Sequence, residues 1–368
     1  MSAVVSEVLT EVRGQVGFIT LNRPSALNAL TLQMIRDLTV CLLAWRENPQ
    51  VRAVAIRGSN KAGPFGAFCA GGDIRFFHQA QLSGDPLLED FFTEEYNLNH
   101  LIHTYPKPYI AFMDGVVMGG GMGISQGASH RLVTARSKIA MPETTIGLFP
   151  DVAGGYFLSR CPGFTGEWLA LTGTTLLGAE AIALGLADHC MDADQQVAAW
   201  EALAQIQPAD PGQLENWVTT FSIHASALGI KARGQIDHYF SMDSVASIVQ
   251  ALESDTSDWA QHTASQLRQR SPLMLCVALE QIRRARQLSL ADGLRMERDM
   301  VRHCFFPRHL GRSGAQTETA EGIRALAVDK DNAPKWQPAR LEDVAPKMVL
   351  PFFDSPWLPH GHPLRGLA

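Results

Sequence analysis

The sequence predicts an α/β fold, and two observations carry that expectation. Over the first 190 residues, short apolar or alternating runs take turns with runs of helical spacing. From about residue 190 onward the pattern changes to helical periodicity with few strands. Residues 1–190 are therefore expected to form the core whose loops carry the chemistry, and 191–368 a mainly helical region with an irregular tail.

Residues 5–24, VSEVLTEVRGQVGFITLNRP, read as two short alternating strands around Arg13-Gly14-Gln15. LTLQMIRDLTVCLLAWREN (30–48) has apolar residues at helical spacing with Thr31 as N-cap, and VRAVAIRG (51–58) follows as a strand. The order repeats with a helix around FFTEEYNLNHLIHTY (91–105), the strand PYIAFMDG (108–115), and a Gly-rich turn into MGISQGA (122–128). RLVTA (131–135) is a short strand, and SKIAMPE (137–143) leads into MPETTIGLFPDVAGG (141–155). QVAAWEALAQI, QLENWVTTF, SVASIVQALE, WAQHTASQLRQR and the long 272–305 stretch are helical in period. The tail from 329 to 363, rich in Pro and aromatics, reads as irregular.

Composition narrows the function classes. Hydrophobic residues make up 46% and charged residues 18%, as in a globular enzyme and far from disorder. A net charge of -6 gives no electrostatic ground for nucleic acid or an anionic membrane. The one basic run, LEQIRRARQL (279–288), reads as a solvated helix face, which leaves an RNA-binding or scaffold role unsupported. Six scattered cysteines without CxxC indicate reduced thiols, Cys69 in its Gly-rich turn being a packing residue or a neighbour of a site. Twelve histidines show no metal-ligand spacing, so no metal and no cofactor is expected. His100, His103 and His130 read as structural or surface groups. The acid-bearing N-terminus and the absence of a long apolar window predict a cytoplasmic protein with no membrane span.

Three loops could do chemistry. FGAFCAGGDIRFF (65–77) places Gly71-Gly72 before an acid, and GVVMGGGMGISQGA (115–128) places Gly119-Gly120-Gly121 at a helix start. Such glycines either form tight turns or aim backbone N–H groups outward as an oxyanion hole. Neither run is a clean GxGxxG, and no GxxxxGK[ST] occurs. In MPETTIGLFPDVAGG, Glu143 and Asp151 lie in an apolar setting where an unpaired acid is costly to bury.

RPSALNAL (23–30), FCAGGDIRFF (68–77), KPYIAFMDGVVMGGGMGISQGASHRLVT (107–134), MPETTIGLFPDVAGGYFLSR (141–160) and LTGTTLLGAEAIALGLAD (171–188) together resemble the crotonase superfamily. The FCAGGDIR and MPETTIGLFPDVAGGYF forms, and EGIRALAVDKDNAPKWQP (321–338), are most similar to its 3-hydroxyisobutyryl-CoA hydrolase branch. The resemblance implies a spiral of ββα units followed by helices, an acyl-CoA substrate and, as in many members, a homo-oligomer. It implies oxyanion donors at Gly72 and Gly120, and CoA contacts at Ala26, Leu27, Gly72, Asp73 and Ile74. Hydratases of the superfamily carry a first glutamate in GGGxE, where this chain has Gly123, and a second that matches Glu143. Their PGAGG is here Pro150-Asp151-Val152-Ala153-Gly154, which adds an acid. The hydrolase branch resembles this pattern, and Glu95 matches a further substrate-site acid there; a solvated helix face is the other reading of Glu95. Implied is hydrolysis of a short 3-hydroxyacyl-CoA, Glu143 acting as nucleophile or as general base. Asp151 would orient the substrate hydroxyl or handle a proton, and Glu95 would support the same hydrogen-bond network. The alternative is an enoyl-CoA hydratase or isomerase of the same fold.

Overall fold

The computed structural model describes residues 6–223 and 230–368, so the first five residues of the chain, one of them in the first predicted strand, lie outside the described residues. The chain forms two compact units. One gathers residues 1–72, 98–140 and 175–230; the other gathers 73–97, 141–174 and 231–368. This division differs from the one expected at residue 190, and packing explains why.

All the described strands belong to the first unit. They are β1 (Val8–Arg13), β2 (Val16–Leu21), β3 (Ala53–Asn60), β4 (Gly63–Pro64), β5 (Tyr109–Met113), β6 (Val116–Met118), β7 (His130–Val133), β8 (Lys138–Ala140), β9 (Leu176–Leu177), β10 (His189–Met191) and β11 (Ser222–Ile223). The main sheet runs β1-β2-β3-β5-β7-β10-β11, with β4 paired to β3. From β2 to β10 the neighbours are parallel, and antiparallel pairs close both ends. A second sheet, β6-β8-β9, holds the segments around the triple glycine. The helix Leu32–Glu47 starts where expected, with Thr31 Oγ1 accepting the Met34 N–H at 3.1 Å.

Residues 196–221 look like part of a C-terminal helical region by pattern, yet they pack on this sheet. Trp200 lies 4.7 Å from Phe18 and 5.3 Å from Phe112, ring centre to ring centre. Leu203, Leu214 and Trp217 complete that cluster with Val16, Ala55 and Ile110. Burying such large aromatic surfaces outweighs adjacency in sequence.

Among its described residues the second unit holds helices and connecting segments but no strand. Its aromatic core joins Phe77 of the helix Ile74–Ser83, Phe91, Phe92 and Tyr96 of the helix Leu87–His103, and Phe305. That cluster draws residues 73–97 into the unit. The long 272–305 stretch is two helices, Pro272–Ala285 and Leu290–Phe305, because Ser289 caps the second by accepting the Asp292 N–H. Among the described residues, no helix is long and apolar enough to cross a membrane. None of the six cysteines is in a disulfide.

Candidate active site

In the sheet unit the two glycine loops are zipped together by backbone. Phe68 N and Cys69 N donate to Val116 O, and Met118 N donates to Cys69 O at 3.0 Å. Gly121 allows this approach, since a Cβ there would stand 2.3 Å from the Cys69 carbonyl oxygen. Gly71 has φ 109°, a conformation side chains avoid, and its carbonyl accepts the Leu30 N–H at 2.8 Å. Gly72 bridges Leu30, and Gly120 is the first residue of the helix Gly120–Gln126. The Cys69 thiol is buried and turned toward Gly71 O at 3.7 Å, a packing role.

RPSALNAL folds onto the same loops. Ala26 ends the 3-10 helix Pro24–Ala26, and Leu27, half exposed, takes φ 51°. Ala70 N donates to Leu27 O at 3.0 Å. The buried Asn28, which the sequence did not single out, holds the junction. Its Nδ2 reaches Ser59 O, Ala67 O and Phe68 O, and its Oδ1 accepts the Arg23 N–H. Backbone groups of these segments are thus fixed before any ligand arrives, the condition for strong oxyanion stabilisation.

In the helical unit, Glu143 opens the 3-10 helix Glu143–Ile146. Gly147 closes that turn at φ 67°, and a Cβ on it would stand 2.3 Å from Glu318 O. Gly322, within EGIRALAV, lets the helix Glu318–Ile323 lie directly on Ile146. Asp151 follows in a turn whose next two residues, Val152 and Ala153, hold φ of 53° and 70°. Each such residue costs on the order of 1–3 kcal/mol and persists only where its surroundings enforce it. The helix Leu87–His103 brings the third acid, Glu95, and Tyr96, whose hydroxyl donates to Asp151 Oδ2 at 2.7 Å. Asp73 caps the helix Ile74–Ser83 by accepting the Phe76 N–H at 3.3 Å, and Ile74 is the first residue of that helix.

Glu95, Glu143 and Asp151 are only 2%, 6% and 5% exposed, which rules out a solvated face for Glu95. Among the described residues, Glu95 Oε1 and Glu143 Oε2 have no hydrogen-bond partner. An orphaned buried acceptor costs about 1–3 kcal/mol, a cost that packing sites avoid. Burial, then the charges of Asp151 and Glu143, pushes Glu95 well above the usual carboxylate range. Burial and then Asp151 do the same to Glu143. Burial raises Asp151 to about 6, with the Tyr96 hydroxyl pulling the other way. Three carboxyl groups so placed disfavour charge on one another.

Two further buried residues support the turn. Glu297 accepts the Ala153 N–H on Oε2 and the Gly155 N–H on Oε1, both at 2.8 Å. Gln281 Nε2 donates to Pro150 O at 2.6 Å and to Glu297 Oε1 at 3.1 Å. A signal for Glu297 existed in the sequence: it falls on the apolar stripe Leu294, Val301, Phe305 of its helix, where an acid is out of place. The arginines of LEQIRRARQL are engaged with their own unit, Arg283 with Asp243 O, Arg284 with Glu280 and Arg286 with Glu167.

A family model described as enoyl-CoA hydratase/isomerase matches residues 16–353. A protein named "Probable 3-hydroxyisobutyryl-CoA hydrolase 3" from Arabidopsis thaliana is 38% identical over 95% of this chain and 92% of its own length. The rat protein named "3-hydroxyisobutyryl-CoA hydrolase, mitochondrial" is 38% identical over 95% and 89%. A crystal structure of a carnitinyl-CoA dehydratase from Mycobacterium thermoresistibile superposes with a TM-score of 0.82 at 38% identity, covering 95% of this chain and 96% of that one. With the match extending over nearly the whole chain in both sequence and fold, the chain belongs to the enoyl-CoA hydratase/isomerase family.

Proposed function

We propose that the protein hydrolyses 3-hydroxyisobutyryl-CoA to 3-hydroxyisobutyrate and CoA, as a step in valine breakdown. The observation that carries this is the buried trio Glu95, Glu143 and Asp151, together with glycine at 123, where hydration chemistry would call for a first glutamate. The names of the plant and rat relatives support the substrate.

The chemistry suits these groups. A thioester needs little help with its leaving group, since thiols have pKa values near ~8.5. The N–H groups of Gly72 and Gly120 take the role of polarising the carbonyl. Glu143 either attacks the carbonyl carbon, expelling CoA thiolate and leaving an anhydride that water opens, or takes a proton from the attacking water. Labelled oxygen from water entering the Glu143 carboxylate in a single turnover marks the first route. Asp151 and Glu95 accept the substrate hydroxyl and carry the proton. Ala26, Leu27, Asp73 and Ile74 take the CoA contacts.

Free thiol from 3-hydroxyisobutyryl-CoA, without loss of enoyl absorbance from crotonyl-CoA, is the expected result. Hydration of crotonyl-CoA with no thiol would assign the protein to the lyases of its fold, the class to which the name of the M. thermoresistibile structure points. Thiols that are all outside disulfides suit a reducing compartment, for which the cytoplasm is proposed, although the rat relative is named as mitochondrial. Cell fractionation decides the compartment, and light scattering decides whether copies assemble as a homo-oligomer.

A further inference from the structure

Glu297 is buried at 0% exposure, and its hydrogen bonds go to none of the groups assigned to the reaction. Its two carboxylate oxygens instead take the N–H groups on either side of Gly154, at Ala153 and Gly155. Those groups belong to the turn in which Val152 and Ala153 are held left-handed. Both carboxyl oxygens are needed to accept these two bonds and the Gln281 amide; an amide in the same place would turn an NH2 group toward one of the backbone donors. Burial pushes Glu297 up to about 8, with the Gly155 and Ala153 N–H groups and the Gln281 amide pulling the other way. Gly155 leaves the space for it, since a Cβ there would come within 3.1 Å of Glu297 Oε1. The next residue, Arg298, is also fully buried and donates to Glu89 and Thr93 of the helix that carries Glu95 and Tyr96.

We propose that Glu297 is a positioning residue for the hydrolysis: its carboxylate locks the strained turn and so fixes where Asp151 stands against Tyr96, Glu95 and Glu143. Arg298 on the same helix secures the other side, so one helix sets the spacing of both acid-bearing segments. The inference rests on the hydrolase reading for its reaction, but not for its geometry.

The test is Glu297→Gln, which keeps shape but turns an NH2 group toward one of the two backbone donors. Displacing a reacting group by about 1 Å costs on the order of 100-fold, so kcat should fall by about that factor with KM nearly kept. Glu143 is raised by burial first, then by Asp151 and, to a smaller extent, by a charged Glu297, and it in turn raises Glu95. Removing that charge should move the acid limb of the rate profile to lower pH. Carboxyl carbon NMR titration of the unliganded protein should show the same displacement without substrate. A merely structural role would lower stability and leave both midpoints in place. Unchanged kcat and an unchanged midpoint would overturn the proposal. If the variant does not fold, Gln281→Met removes the Pro150 and Glu297 contacts, and a wild-type kcat there would overturn it equally. Wild-type thiol release is measured first. Should the wild type hydrate crotonyl-CoA instead, the hydrolase reading fails, and the same variants are compared on hydration.

Discussion

Gly322→Ala should damage catalysis although alanine is the better helix former. The residue lies inside the helix Glu318–Ile323, where alanine is favoured by about 1 kcal/mol on propensity. Against that, a Cβ at 322 would stand 2.3, 2.5 and 2.6 Å from the carbonyl carbon, oxygen and Cα of Ile146. All three are backbone atoms, so no side chain can swing away. Restoring ordinary contact, which begins at 3.4 Å, takes an opening of about 1.1 Å. Ile146 is the fourth residue of the 3-10 helix that begins at Glu143, and Gly147 next to it is pinned by Thr319 Oγ1 at 2.8 Å. The displacement therefore reaches Glu143. Overpacking of this kind costs about 1–3 kcal/mol, and a 1 Å shift of a catalytic group about 100-fold in rate. Thiol release and thermal unfolding, measured on the same preparation, should show kcat/KM down by about two orders and Tm lowered. A folded variant with wild-type kcat/KM and a raised Tm would show that the backbone contact at Ile146 does not transmit to Glu143.

Tyr96→Phe removes the hydroxyl that lowers Asp151, so the acid limb of the kcat/KM profile should move to higher pH, opposite to Glu297→Gln; a limb that stays put contradicts the assigned contact. Asp151→Asn should lose activity yet gain stability in alkali. Asp151 is raised from 3.8 to about 6, so the native state holds its proton more tightly than the unfolded chain. The resulting stabilisation is complete below pH 4 and lost as pH rises through 6, leaving a buried charge that costs on the order of 3 kcal/mol at pH 8. Denaturant unfolding should show the variant more stable than wild type at pH 8 and no more stable at pH 4. Asn28→Ala should weaken activity through KM and kcat together by freeing both the 23–30 and 67–72 segments, while the Glu143 midpoint in NMR titration stays as in wild type.

Strand and helix periods made the sheet unit legible: Thr31, the hairpin at Gly14 and the apolar runs at 53–58 and 109–113 stand where local pattern places them. Local pattern does not say which surface a helix covers. Helices at 196–221 carry Trp200 and Trp217 into the sheet's core, and Phe77, Phe91 and Phe92 carry 73–97 the other way. Glu143 and Asp151 stood out because acids in an apolar run demand a reason. Glycine 123 became informative only beside the hydratase pattern. Tyr96, Asn28 and Gln281 were not legible, because each acts by a hydrogen bond to a segment tens of residues away. Glu297 showed only as an acid on an apolar stripe, and its partners, Ala153 and Gly155, lie more than 140 residues earlier.

The decisive measurement is thiol release from 3-hydroxyisobutyryl-CoA by the wild type and by Glu143→Gln at pH 8. The carboxyl group at 143 is predicted to be indispensable, so the wild type should turn over and the variant should lose on the order of 10²–10⁴-fold in kcat. Equal rates from the two proteins would contradict the assignment of the buried acids to the chemistry.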